Sequence, residues 1–471
     1  MSNKYDRRDF LKLSGFAGLG AGALSGCSIQ ADGNEPFPVT HHQDFNMHGY
    51  AAPALETVRV GMFGVGNRGS GSVQRLASIE GVEIKAICDL EADRVNAAIE
   101  SIAATQSPDA YSGGEDEWKK VCERNDIDLI AIATPWHLHT PMAVYAMEHG
   151  KHAYTELPAA KTIEECWQLV ETSERTRMHC VQMSSSCHSG IQAVLLNMVR
   201  QGVFGDLIHA EGAYIHDLLE DYNFTKTMYH DMWRLNENID RNGNLYPQHG
   251  IVPIIQMMDI NYGDKMDYMV SMSGNDFMMG DKARELAGED EFWNPYVDRN
   301  YRGNMNTSII HTHKGRTIML QHDVSSPRPR PSLPMVSGTS GIYSSRRFAS
   351  SHHGWFSGEE FEDLIAKYTP AINTKFRELV SQASRQRAGH SYARVNETDW
   401  RLIDCLRNGL PVEMDVYEAA VSSSMSPLSE WSVANRSNSV DVPDFTSGAW
   451  KTNKPGMDVA LQNGGATTRL L

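Results

Sequence analysis

A chain of 471 residues with 41% hydrophobic and 22% charged side chains has ordinary globular composition and exceeds what one core usually serves, so two domains are the starting expectation. Its formal net charge of −16 argues against nucleic acid or an anionic membrane surface as partner, because neither attracts an acidic body. Seven cysteines without a CxxC pair fit neither a disulfide framework nor a zinc site, so they read as buried small hydrophobes and no metal is expected.

The chain opens with Arg7-Arg8-Asp9-Phe10-Leu11-Lys12 before a short Gly/Ala-rich apolar run from Leu13 to Leu24, the layout of a twin-arginine export signal. The run is too short to span a bilayer as a mature helix. Its end, Leu24-Ser25-Gly26-Cys27, resembles the bacterial lipobox, so residues 1–26 are expected to be a signal peptide and Cys27 a lipid anchor facing the periplasm or cell surface. That anchor is the one membrane contact expected. Residues 27–56 are rich in His, Gly, Pro and Asn with no sustained apolar period, and read as a tether. His41, His42 and His48 lie in it without a Cys or carboxylate cluster, which favours exposed linker polarity over metal ligation.

Residues 57–184 read as an NAD-binding Rossmann domain. The β-prone run Val58 to Phe63 leads into Gly64-Val65-Gly66-Asn67-Arg68-Gly69 and a helix with Val73, Leu76 and Ala77 on one face. A second β-prone run, Val82 to Cys88, ends at Asp89, twenty positions after Gly69. The chemistry explains the spacing. Gly64 permits a tight turn, Gly66 lets backbone approach the pyrophosphate, Gly69 lets the helix pack closely, and helix N-terminal amides hold phosphate. Asp89 would accept hydrogen bonds from the adenosine ribose and repel the 2′-phosphate of NADP. The alternation continues with a helical face at Val95, Ala98, Ile99 and Ile102, a strand at Asp128 to Ala133, and a helix at Met142 to His149. A strand at His152 to Thr155, a helix from Ile163 to about Arg175 and a strand at Cys180 to Met183 complete a doubly wound parallel sheet.

Residues 185–471 carry longer β-prone runs, Leu207 to Ile215, Tyr268 to Ser273, Asn306 to His313 and Thr317 to Val324, with Lys314-Gly315 as a turn between the last two. They predict an α/β domain with a largely antiparallel sheet. A homo-oligomer is compatible with this sequence.

Ala133-Thr134-Pro135-Trp136-His137-Leu138-His139, followed by Glu156-Leu157-Pro158, resembles the two nicotinamide-side motifs of the Gfo/Idh/MocA oxidoreductase superfamily. Most dehydrogenases of that family have a lysine where this chain has Leu157, and leucine cannot transfer a proton. In that respect, and through the stretches 205–217, 233–235, 241–250, 320–329 and 400–409, the chain is similar to glycoside hydrolase family 109, the NAD-dependent α-N-acetylgalactosaminidases. The resemblance implies that Trp136, His139, Glu156, Leu157 and Ser185 join Gly64, Gly66, Asn67, Arg68, Gly69 and Asp89 around NAD. It implies that Tyr214, Arg234, Tyr246, Pro247, Gln248 and His249 contact a small carbohydrate. The chain departs from the family at Ser185, which stands for an asparagine, at Arg330, which stands for a tyrosine, and at Gly389-His390-Ser391-Tyr392, which stands for Gly-His-Gly-Gly.

No Asp/Glu pair is nominated by spacing for two-carboxylate hydrolysis. The resemblance implies instead a redox-neutral cycle: oxidation at C3, loss of the C2 proton, elimination of the aglycone, addition of water and return of the hydride. His390 and His249 are the acid/base candidates, since imidazole takes and gives protons near neutral pH. Two rival readings stand beside it, a sugar dehydrogenase that releases oxidised product and a non-catalytic surface lipoprotein with a nucleotide fold.

Overall fold

Six parallel strands build the first sheet: β1 (Val58–Phe63), β2 (Val82–Asp89), β3 (Asp109–Ser112), β4 (Leu129–Ile132), β5 (His152–Thr155) and β6 (Cys180–Gln182). This computed structural model describes residues 36–37, 41–184, 187–188, 190–328, 333–386 and 395–471. Sheets covered on both faces need near-continuous apolar strands, and every residue of β4 is fully buried. The polar edge strand β3, with Asp109 and Ala110 exposed, has no such run and is not announced by the sequence pattern. The order is β3-β2-β1-β4-β5-β6, so it reverses between β1 and β4. That switch point opens a crevice at the strand C-termini.

The second sheet has nine strands: β7 (Leu207–Ile215), β8 (Met266–Ser273), β9 (Asn306–Thr312), β10 (Thr317–Asp323), β11 (Met335–Gly338), β12 (Gly341–Ser344), β13 (Arg347–Ser350), β14 (Gly354–Trp355) and β15 (Val440–Asp441). It is mixed and largely antiparallel, the exception being the parallel pair β7 and β10. The helix Gln248–Met257 lies against β7 with backbones touching: a Cβ on Gly212 would stand 2.4 Å from the Gly250 carbonyl, and a Cβ on Gly250 would stand 2.5 Å from the Ala213 nitrogen. No other residue fits at either position.

Between the sheets runs the helix Val416–Ala434, which packs on both the helix Ile163–Thr176 and β8. Its buried serines make it narrow on every face. Several return a hydroxyl to their own helix, Ser424 to Val421 O at 2.9 Å and Ser429 to Ser426 O at 2.7 Å. Others receive bonds from both halves, Gln182 Nε2 to Ser422 at 2.7 Å and Ser271 N to Ser432 at 2.9 Å. Buried polar groups must be paired, and this helix uses that requirement to join the halves.

The expected tether at 27–56 is corrected over its second part. Met47 and Ala52 are buried core residues, and the side chains of His41 and His48 are only 6% and 10% exposed. His48 Nδ1 lies 2.7 Å from Asp415 and the Met47 N–H donates to the Tyr417 hydroxyl at 3.0 Å. The polarity of His41 and His48 is satisfied inside the protein, whereas His42 is exposed. Residues 1–35, with Arg7, Arg8 and Cys27, lie outside the described residues. Six cysteines, among them Cys88 and Cys405, are buried and free, as their spacing suggested. Among the described residues no helix is long and apolar enough to cross a membrane.

Candidate active site

The glycine loop joins β1 to the helix Gly69–Ala77. Gly64 has φ 76°, and a Cβ there would meet the Ala133 carbonyl at 2.7 Å. A Cβ on Gly69 would overlap the Gly64 carbonyl at 1.8 Å. Gly66 differs, because its added Cβ would meet only the mobile end of Arg94. Protein packing thus fixes the first and third glycines and leaves the second open to a ligand, which is the cradle a pyrophosphate needs. Asp89 accepts from Val65 N at 2.8 Å and Glu91 N at 3.0 Å, so its carboxylate sets the loop and retains lone pairs for ribose hydroxyls. The residues present fit NAD. Glu91, Glu115 and Asp116 stand with Asp89 on the wall of the same cavity and add to the charge that opposes a 2′-phosphate.

This cavity has a volume of about 730 Å³ and continues from the glycine loop to the second sheet. On the way it passes Trp136, Glu156 and Leu157. Trp136 stacks on Tyr246 with centroids 5.1 Å apart. Glu156 Oε2 accepts from Leu157 N at 3.3 Å and its other oxygen lies 3.7 Å from Arg68 Nε. Leu157 is buried in an apolar cluster with Trp136, Tyr214 and Tyr246. His139 borders the cavity but has no exposed surface, and its ring nitrogens face the carbonyls of Pro158 at 2.7 Å and Thr134 at 2.8 Å. Its ring braces the two motifs against each other. Burial lowers its pKa.

At the far end Tyr214 projects from β7, stacked on His249 at 4.9 Å and edge-on to Tyr246 at 4.9 Å. The touching backbones of Gly212 and Gly250 seat His249 there. The Arg234 guanidinium lies 5.6 Å from Trp136, 5.8 Å from Tyr229 and 5.5 Å from Tyr246, and no carboxylate pairs with it among the described residues. Burial lowers its pKa most, but the surrounding tyrosines outweigh it and the net shift is upward. Burial also pushes the Tyr246 phenol well up, so at neutral pH Tyr246 is a hydrogen-bond donor and not a phenolate.

Two expected sugar contacts are corrected. Tyr246 and His249, three positions apart around the start of the helix, face the cavity, whereas Gln248 falls on the other face. Gln248 is fully buried, its Nε2 3.5 Å from Ser422 O on the long helix. Pro247 is the N-cap and does not line the cavity either; it turns the chain. Gly69 acts through packing, as above. Ser185 and His390, with Arg330, Ser391 and Tyr392, lie outside the described residues. The sequence reading missed His216, Tyr222, Met228, Tyr229, His230 and Trp233, all of which line the cavity. His216 follows directly on β7, which is a signal; the others sit in short helical turns and the irregular backbone between them, none long enough to show a period.

Two family profiles cover most of the chain. Residues 58–183 match the oxidoreductase family with NAD-binding Rossmann fold, and residues 191–452 match the glycosyl hydrolase 109 C-terminal domain. A glycosyl hydrolase family 109 protein of Shewanella pealeana is 40% identical over 461 residues, spanning 96% of this chain and 98% of that one. The chain belongs to glycosyl hydrolase family 109. An α-N-acetylgalactosaminidase of Bacteroides fragilis is 43% identical over 413 residues, spanning 86% of this family 109 chain and 95% of its own. In solved structures the fold recurs in levoglucosan dehydrogenase with NADH and L-sorbose, at TM-score 0.59 and 18% identity, covering 83% of this chain and 100% of that one. An oxidoreductase domain protein from Kribbella flavida is similar at TM-score 0.60 and 16% identity, covering 83% and 100%. These distant structures share the fold. NAD is the cofactor of this family 109 protein, on the strength of its Rossmann profile and the glycine cradle.

Proposed function

We propose that the protein hydrolyses glycosides of N-acetylamino sugars, α-N-acetylgalactosaminides foremost, with NAD+ kept bound throughout. The observation that carries this reading is one continuous cavity with a dinucleotide cradle at one end and an aromatic, cationic wall at the other. When bound, NAD+ supplies a reversible hydride acceptor at a sugar carbon. The side chains do the rest. Tyr214, Trp136 and Tyr246 wall the sugar end with their faces packed on His249, on each other and on Arg234, so Arg234 and the Tyr246 hydroxyl are the groups that donate to sugar oxygens. His249, stacked on Tyr214, is the proton carrier at the sugar end, with His390 as its proposed partner. Leu157 keeps the position beside Glu156 free of the lysine that serves dehydrogenases.

The test is a panel of aryl and free amino sugars. Hydrolysis without net NADH is expected; stoichiometric NADH would identify a dehydrogenase instead, and no turnover would favour a binding protein.

We further propose that the chain is exported by the twin-arginine route and anchored through a lipid on Cys27, supported by the order of its two N-terminal motifs. Cys27→Ala is expected to release the protein from membranes, and Arg7→Lys with Arg8→Lys to hold it in the cytoplasm. Normal membrane recovery of both variants would refute this.

A further inference from the structure

The dinucleotide end of the cavity is roofed by a segment from the other half of the chain. From Phe224 to Met232 the backbone is irregular apart from one short turn, yet it is fixed at both ends within its own half. At its start the Lys226 ammonium pairs with Asp290 and lies 4.3 Å over the Phe292 ring. At its end Asp231 and Met232 take left-handed conformations, φ 48° and 51°, which the Asn236 amide supports by donating to Asp231 O at 3.0 Å. Tyr229 packs edge-on against Trp233 at 5.0 Å.

Between these supports the three consecutive side chains Met228, Tyr229 and His230 all line the cavity and reach across to the cofactor half. Asn67, inside the glycine loop, donates to Met228 Sδ at 3.2 Å. His230 Nδ1 lies 3.2 Å from Glu91 Oε1, two residues beyond Asp89. One contact therefore lands on the phosphate turn and the other beside the ribose carboxylate. A dinucleotide held by the glycine loop and Asp89 would have both contacts beside it.

We propose that residues 226–231 are a clasp that retains NAD, with Met228 and Tyr229 part of the cofactor site. The contacts join half-buried and exposed side chains, so they are weak enough to open for loading. Bound dinucleotide adds its own surface beneath the segment and shifts the population toward the closed form. Such a clasp suits a reaction in which the cofactor ends each turnover in its starting state.

The experiment measures release of isotopically labelled NAD from the full-length holoprotein, chased with unlabelled NAD+ and without sugar. With Met228→Ala and His230→Ala together, release is expected to be ~tenfold faster or more, because interface changes act mainly on dissociation. Lys226→Met, at an exposed anchor, is expected to accelerate release to a smaller degree and guards against misfolding of the double variant. In the wild type, amides of 226–231 are expected to exchange more slowly with NAD present. Unchanged or slower release in both variants, or equal exchange with and without NAD, would overturn the clasp. Because no sugar enters the measurement, a failed glycosidase assay leaves this inference standing and its own failure leaves the glycosidase reading untouched.

Discussion

The two ends of the cavity are held by different means. At the dinucleotide end the backbone itself is the site: Gly64 and Gly69 are dictated by contacts with main-chain atoms, and Asp89 spends its carboxylate on loop amides. At the sugar end the site is a stack of side chains, Trp136 on Tyr246 and Tyr214 on His249, brought together by a strand, a helix and a loop distant in sequence. A backbone site tolerates almost no added volume, whereas a side-chain stack can be edited one group at a time. The cofactor half should therefore fail all at once and the sugar half by degrees.

The largest effect is expected at Gly69. Gly69→Ala forces a methyl against the Gly64 carbonyl, which costs ~3 kcal/mol or more of stability unless the loop moves, and moving the loop destroys the phosphate cradle. Purified variant should carry no NAD and melt earlier. Retention of wild-type NAD content would break the contrast between the two ends.

At the sugar end, His249→Ala is expected to lower kcat by ~10²–10⁴-fold while bound NAD is unchanged, as removal of a general acid or base does. His390→Ala is expected to act in the same way if both carry protons. Steady-state kinetics with NAD content measured on the same sample decides. Full activity would remove the residue from the mechanism.

A smaller loss is expected from Tyr246→Phe, which keeps the stack on Trp136 and deletes one donor. The predicted cost is ~10-fold in kcat/KM, the value of one hydrogen bond in a closed site, with no change in melting temperature. Loss of fold in this variant would mean that the hydroxyl holds the stack rather than the sugar.

The smallest effect concerns pH. His152 and His179, stacked at the starts of β5 and β6 with centroids 5.1 Å apart, are held neutral by burial, their pKa values lowered to about 4 and about 3. The unfolded chain protonates these rings near pH 6.5, so their contribution to stability is complete above that pH and is lost as pH falls toward 4. His179→Phe keeps an aromatic ring beside Tyr50 and His152 and should flatten the fall in melting temperature between pH 7 and 5.

What could be read from the sequence follows the same division. The glycine loop, Asp89 and the buried strands β1, β4 and β5 were legible because local sequence and local structure coincide there. Strand β3 was not, since its four residues at the sheet edge carry no apolar pattern. The helix Val416–Ala434 escaped because serines on all its faces blur the usual apolar stripe, although they let the two halves meet. Residues 41–56 looked like linker because several of their polar groups, His48 at Asp415 among them, find partners only in the folded chain. At the far end the resemblance named Tyr214, Arg234, Tyr246 and His249, which line the cavity, together with Pro247 and Gln248, which do not, since a contiguous stretch does not reveal which way each helical position points.

The dinucleotide cradle and the aromatic stack share one cavity and are expected to work on one substrate carbon skeleton. Turnover of an α-N-acetylgalactosaminide in D2O tests it most directly. Removal of the C2 proton before the glycosidic bond breaks predicts deuterium at C2 of the released sugar, with no net NADH. Hydrolysis that leaves C2 fully protonated would contradict the account, because a two-carboxylate hydrolase never touches that carbon.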